Sequence, residues 1–373
     1  MKYMWMLLFL ALPFLALAYI GWHIWTLVPL PRIWRGLLIA IGVACFLTTF
    51  LNFGRVIDRM PLSLARLSYD IGNSSIFILL YLVIIFLVLD LGRLVRLVPR
   101  AMIHQNFYTT VVIVIGIFLV FLYGNIHYRH KTRVDLSLTT SKPLAKPLRF
   151  VMLSDLHIGY HNTRAELSRW VDLINDEQPD YVLIAGDIID MSMRPLIEER
   201  MADEFHRIKA PVYACLGNHE FFSGESQAQQ FYKDAGIHLL RDTCETIGDL
   251  CIIGRDDRAN FHRKSLDKLM EETNAQTSDI EHHTSKYTIL LDHQPHQLEQ
   301  SEQAGIDFQL SGHTHRGQVW PISWITDRIY ECSHGSYQRG NTRYYVSSGI
   351  GLWGGKFRIG TQSEYIVAEL TNN

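Results

Sequence analysis

The chain has 373 residues, too many for one ordinary domain, and its hydrophobic residues, 48% of the total, are unevenly spread. A formal net charge of −2, with no long basic stripe in the second half, gives no reason to expect nucleic acid as a partner. The five cysteines, Cys45, Cys215, Cys244, Cys251 and Cys332, show no C-x-x-C spacing, so free thiols are expected. A bridge between Cys244 and Cys251, which flank the turn Gly248-Asp249, stays open.

The first 126 residues are a different material from the rest. Residues 3–30 carry no Asp, Glu, Lys or Arg, and 36–54, 71–89 and 105–126 are also uncharged apolar stretches. Each is close to the ~20 residues that span a bilayer. Four buried helices of a soluble protein fit poorly, because Ile76 to Leu89 is apolar on every face. Four transmembrane helices are therefore expected over residues 1–126. Lys2, an apolar run and Ala16-Leu17-Ala18 imitate a cleavable signal, but the uncharged run continues to Leu30, so an uncleaved anchor is expected. Apart from Cys45 and Thr48-Thr49 the spans offer few polar side chains, and ionisable groups inside them are nearly absent. That argues against a transporter or receptor.

With the N-terminus inside, Lys2, Arg55, Arg59, Arg66, Arg129, Lys131 and Arg133 lie on the inner side, against Arg32, Arg35, Arg93, Arg96 and Arg100 outside. The excess favours a multi-pass protein of the cell (inner) membrane whose C-terminal part is cytoplasmic. Residues 127–147 read as a juxtamembrane linker. Its basic run, Tyr128 to Arg133, is either a contact for anionic lipid or a plain stop-transfer flank, and Ser137 to Pro147 is polar with two prolines.

From residue 148 onward, short apolar runs alternate with polar islands. Phe150 to Leu153 precedes Asp155-Leu156-His157, Tyr181 to Ala185 precedes Gly186-Asp187-Ile188-Ile189-Asp190, and Val212 to Leu216 precedes Gly217-Asn218-His219-Glu220. Thr288 to Leu291 precedes His293-Gln294-Pro295, and Phe308 to Leu310 precedes Gly312-His313-Thr314-His315. The runs read as strands covered on both faces, with chemistry on the loops at their ends. A lone His or Asp is more often structural than a ligand. Here, hard carboxylates, one amide and several imidazoles recur at strand ends, which is the donor set a pair of metal ions needs. Mixed N and O donors suit Mn, Fe or Zn better than Ca or Mg. The glycines at 349, 351, 354, 355 and 360 lack a following G-K-S/T and read as a turn-rich closing hairpin. His161 follows the first island closely enough to line a cleft, whereas His206, His238, His262, His282, His283 and His334 have no motif around them.

The ordered set D-x-H, G-D-x-x-D, G-N-H-E, H-x-P and G-H-T-H resembles the calcineurin-like metallophosphoesterase superfamily over residues 148–373. The tail, Leu310 to Pro321 with Tyr345 to Gly351, is similar to its YkuE/YaeI-like membrane-associated branch. The resemblance implies an α/β sandwich of two mixed β-sheets flanked by helices, placed after the four-helix region. It further implies that Asp187 bridges two divalent or trivalent ions, with Asp155, His157 and His315 on one and Asn218, His293 and His313 on the other. A metal-bridging hydroxide would then cleave a phosphomonoester or phosphodiester. His219 is implied to contact the phosphate and protonate the leaving oxygen, with Asp190 holding its tautomer, although a turn or cap role for Asp190 stays open. Glu220 reads as structural. Arg316 departs from the branch, which usually has a small residue there, and either clamps the substrate phosphate or lies in solvent. The substrate is expected to be phosphorylated, a lipid-linked phosphate or a nucleotide-activated lipid pyrophosphate among the candidates. A membrane scaffold that keeps the fold without the chemistry is the competing class.

Overall fold

The computed structural model describes residues 2–53, 56–277 and 286–373. It divides into two compact units: Met1–Ile126 with Gly354–Phe357, and His127–Trp353 with Arg358–Asn373.

The first unit holds α1 (Lys2–Leu27), α2 (Arg32–Phe53), α3 (Leu62–Leu94) and all but the last turn of α4 (Phe107–Arg129). Among the described residues, the last three are long and apolar enough to cross a membrane, and Ala11–Leu27 of α1 is a shorter apolar helix. Ile20 and Leu27 of α1 cluster with Phe86 of α3. Thr49 Oγ1 of α2 donates to the Gly72 carbonyl of α3 at 2.9 Å, the polar tie that lets two apolar helices recognise each other where water is absent. Ionisable groups are few in these helices, and one of them, Asp90, lies within α3, accepts from Tyr19 Oη at 2.7 Å and stands 3.1 Å from His23 Nε2. The helix runs on to Leu94 because nothing before it breaks the backbone pattern, so a carboxylate is drawn into the bundle with partners.

The second unit is a sandwich. Its strands are β1 (Lys131–Thr140), β2 (Leu148–Leu153), β3 (Tyr181–Ala185), β4 (Val212–Cys215), β5 (His238–Leu239) and β6 (Thr243–Ile247). They continue with β7 (Leu250–Gly254), β8 (Tyr287–Leu291), β9 (Phe308–Ser311), β10 (Gly335–Arg339), β11 (Thr342–Val346) and β12 (Ser363–Asn372). One mixed sheet has the order β1-β12-β2-β3-β4-β5, the other β10-β11-β9-β8-β7-β6. Successive residues point to opposite faces. Phe150, Met152, Leu183 and Ala185 therefore meet Ile289, Leu291, Phe308 and Leu310 between the sheets, while Val151, Leu153, Val182 and Ile184 pack outward against helices. Both faces are covered, as the continuous apolar runs predict.

Two expectations fail here. The linker at 127–147 contains β1, which pairs in parallel with β12 from Lys131↔Ser363 to Thr140↔Asn372. Val134, Leu136 and Leu138 turn inward while Arg133, Asp135 and Ser137 turn out, an alternation that the polar composition hides. The glycine-rich stretch after Val346 is not a hairpin, because β11 belongs to one sheet and β12 to the other and the segment crosses between them. Cys244 and Cys251 are free thiols on the β6–β7 hairpin, opposite Ile253 and Thr246 and not each other.

Candidate metal centre

β2, β3 and β4 run parallel in one sheet, as do β8 and β9 in the other. Their C-terminal ends deliver Asp155, Asp187, Asn218, His293 and His313 within three residues of each strand. The loops then bond to one another: Asp155 N–H to the Gly186 carbonyl (3.1 Å), His157 N–H to that of Asp187 (3.0 Å) and Gly312 N–H to that of His293 (2.9 Å). Asp155, His157, Asp187, His313 and His315 all have positive φ, a conformation that costs a non-glycine residue about 1–3 kcal/mol and persists where the surroundings impose it. Two glycines are required by close approach. A Cβ on Gly217 would lie 2.2 Å from Asp187 Oδ1, and one on Gly312 2.3 Å from Asp155 Oδ2.

Three groups of donors converge: Asp155, His157 and His315; His157, Asp187 and His219; and Asp187, His293 and His313. His157 Nε2 and His315 Nε2 are 3.1 Å apart, and His315 Nε2 is 3.5 Å from Asp155 Oδ1. Asp187 Oδ2 lies 3.6 Å from His157 Nε2 and 3.1 Å from His293 Nε2. Asn218 Oδ1 and His313 Nδ1 are 2.9 Å apart. Asp187 is thus common to both ends of the cluster, while its Oδ1 accepts the His219 N–H at 2.9 Å.

The arrangement fits metal ions on two counts. His293 Nε2 is buried and has no hydrogen-bond partner, while its Nδ1 is satisfied by the Ala185 carbonyl at 2.8 Å. That fixes the tautomer whose free lone pair faces Asp187. Two imidazole nitrogens at 3.1 Å also need a proton or a cation between them. Burial raises the carboxyls of Asp155, Asp187 and Asp190, but the surrounding imidazoles outweigh it and hold all three below the usual range. Burial pushes His313 down to about 4 and His315 to about 3, the neutral form a ligand needs. Burial also opposes the charged form of His157 and His293, but neighbouring carboxylates prevail, pushing His157 up to about 10 and His293 well above its ordinary value.

Asp190 Oδ1 is 3.3 Å from His219 Nδ1 and 3.6 Å from His157 Nδ1, so one carboxylate faces both rings. Glu220, fully buried, accepts from the N–H groups of Gly217 (2.7 Å), Asp187 (3.2 Å) and Ile189 (3.0 Å), tying two loops together. Arg316 is half-buried in the turn after His315, its N–H on Thr314 Oγ1. His161 does not line the cleft: it is buried, with Nε2 on the Leu352 carbonyl at 2.9 Å. His282 and His283 lie outside the described residues.

Two residues carry no motif and escape a sequence reading. Trp353 stands 6.3 Å, ring to ring, from His219. Arg358 is wholly buried and donates to the carbonyls of His315 (2.7 Å), Ser348 (2.5 Å) and Gly351 (3.1 Å), so it pins the turn that carries His315 to the crossover between the sheets. Burial pushes its guanidinium down to about 10.

The calcineurin-like phosphoesterase model matches residues 148–317. An uncharacterized metallophosphoesterase of Campylobacter jejuni is 32% identical over 69% of this chain and 68% of its own length. A Danio rerio transmembrane protein with metallophosphoesterase domain is 27% identical over 89% of this chain and 79% of its own. The uncharacterized metallophosphoesterase YkuE of Bacillus subtilis is 27% identical over 62% and 83%. By the extent of these matches the chain belongs to the calcineurin-like metallophosphoesterases, metal-dependent hydrolases that use a dimetal centre.

Proposed function

We propose that this chain is a membrane-anchored phosphohydrolase acting on a phosphomonoester or phosphodiester, with residues 148–373 as its catalytic domain. The observation that carries the reading is the convergence of carboxylate and imidazole donors on both sides of Asp187. Asp155, His157 and His315 would hold one ion, Asn218, His293 and His313 the other, and Asp187 both; Mn, Fe or Zn suits these donors. When bound, such a pair lowers the pKa of a shared water and neutralises phosphate oxygens.

His219 follows the ligand Asn218 and turns its Nδ1 to Asp190, which leaves Nε2 to give a proton to the departing oxygen. Asp190 keeps that tautomer, and the Ala185 carbonyl at the end of β3 keeps His293 in its own. Trp353 walls the His219 side, and Arg316 is the cation available to a phosphate oxygen. A lipid-linked substrate is favoured by an apolar cavity of about 830 Å³ within the helical unit, lined by Leu27, Leu82, Phe86, Ile113, Phe121 and Phe357. The Lys and Arg distribution supports placing the protein in the inner membrane with its catalytic domain on the cytoplasmic side.

Full-length protein in nanodiscs, loaded with Mn and given bis(p-nitrophenyl) phosphate, tests the chemistry. Turnover abolished by chelation and restored by Mn is expected, and inert metal-loaded protein would favour the scaffold. A long-chain phosphate ester should be cleaved with higher kcat/KM than its short-chain analogue. A reporter fused after Asn373 should behave as cytoplasmic. An external reporter would move both chain ends outside and point to lipid or wall phosphates beyond the membrane.

A further inference from the structure

A polar cavity of about 390 Å³ opens beyond the ends of β7, which leads to Arg255, and β8, which leads to His293. Arg255, Arg258, Arg263 and Lys264 line it, with the amides of Gln297 and Gln300. Asp267 is the one carboxylate in its wall, at the start of the 12-residue helix Leu266–Thr277, whose amino end also borders the space. Such an end carries partial positive charge.

Of the carboxylates behind the wall, Asp242 accepts the Lys264 backbone N–H at 2.7 Å, Asp256 accepts Arg241 Nε at 2.7 Å and Asp257 accepts the Gln294 amide at 3.0 Å. Asp292, buried and adjacent to His293, accepts from both Arg255 Nη1 (3.1 Å) and Arg263 Nη1 (3.2 Å), so one negative charge faces two guanidiniums. Arg258 Nη1 donates to the neutral Gln297 Oε1 at 3.0 Å and to no carboxylate among the described residues. Lys264 Nζ reaches Glu272 at 2.7 Å, with both side chains partly in solvent. The sharpest feature is Arg255. It is only 5% exposed, it lines the cavity, and its Nε has no hydrogen-bond partner. A buried guanidinium N–H without an acceptor is unfavourable, and an anion in the cavity would offset that cost.

The wall is also continuous with the metal centre. Asp292 precedes the donor His293, and Gln294, which follows it, gives its amide to both carboxylate oxygens of Asp257 at 3.0 Å, two residues on from Arg255. We propose that this cavity is a phosphate-binding subsite that takes a second anionic group of the substrate, distinct from the ester cleaved at the metal centre. The substrate class is then a bisphosphorylated one, whether a lipid headgroup or a soluble phosphate. This rests on the hydrolase reading above.

Two substrate pairs, each differing by one phosphate, test it in Mn-loaded full-length protein. The soluble pair is thymidine 5′-(p-nitrophenyl phosphate) with and without a 3′-phosphate; the lipid pair is phosphatidylinositol 4-phosphate and phosphatidylinositol in phosphatidylcholine nanodiscs. For cleavage of the ester that both members share, the member with the additional phosphate should, in at least one pair, show kcat/KM about 5- to 10-fold higher, the scale of one partly solvated ion pair. Which pair responds identifies the source. R258Q and K264Q should bring that ratio to within about twofold of unity, while R258K, which keeps the charge, should retain most of it. Because the readout is a ratio within one protein, general damage to a variant does not imitate the result. No advantage in either pair, or one that survives both neutral variants, would overturn the subsite. Failure of wild type to cleave bis(p-nitrophenyl) phosphate would overturn the hydrolase reading and the subsite with it.

Discussion

In the helical unit the surface is apolar: Ile33, Leu94, Leu97 and Tyr108 are each more than three-quarters exposed, and the buried His23 of α1 lies 3.1 Å from the partly exposed Asp90 of α3. In the sandwich the interior is where charge collects, with Asp155, Asp187, His157 and His293 almost wholly buried at one edge. Exposed apolar surface is stable when the solvent is lipid. Buried carboxylates beside imidazoles are stable only with compensating cations or protons. The first region therefore says where the protein sits, and the second what it does.

The largest expected effect lies at the shared donor. Asp187→Asn should abolish nearly all hydrolysis of bis(p-nitrophenyl) phosphate, because two cations would then face each other with one fewer negative ligand. Wild-type turnover in that variant would remove Asp187 from its role. Next, His219→Ala should keep its metals yet lose about 10²- to 10⁴-fold in kcat. The loss should shrink for a nitrophenol leaving group, which needs little protonation; equal losses for good and poor leaving groups would make His219 a phosphate contact and not an acid.

Arg358→Met sharpens the comparison from within the sandwich. It leaves the carbonyls of His315, Ser348 and Gly351 without their donor, a loss on the order of 3 kcal/mol and a fall of roughly 6–12 °C in the midpoint of the catalytic domain's thermal transition. An unshifted midpoint would mean that the turn is held by other contacts. The smallest effect belongs to the helical unit, where Tyr19→Phe removes one bond to Asp90 and should cost about 0.6 kcal/mol, the usual worth of such a bond in a membrane, with kcat unchanged. A matching loss of activity would mean that the helices take part in the chemistry.

The strands that carry the five islands were legible because each is an unbroken apolar run, and the spacing of Asp155, Asp187, Asn218, His293 and His313 from those runs set their common edge. β1 was not, since its three inward positions are diluted by Arg, Asp, Ser and Thr. Arg358 and Trp353 were invisible for another reason: their partners are backbone carbonyls and a ring that only the crossover between sheets brings near.

Metal content of purified full-length protein is the most direct test of the central claim. Two ions per chain in the wild type, and a lower count in Asp187→Asn, are predicted. One ion or none in active wild-type protein, or two retained after Asp187→Asn, would contradict a paired centre built on that carboxylate.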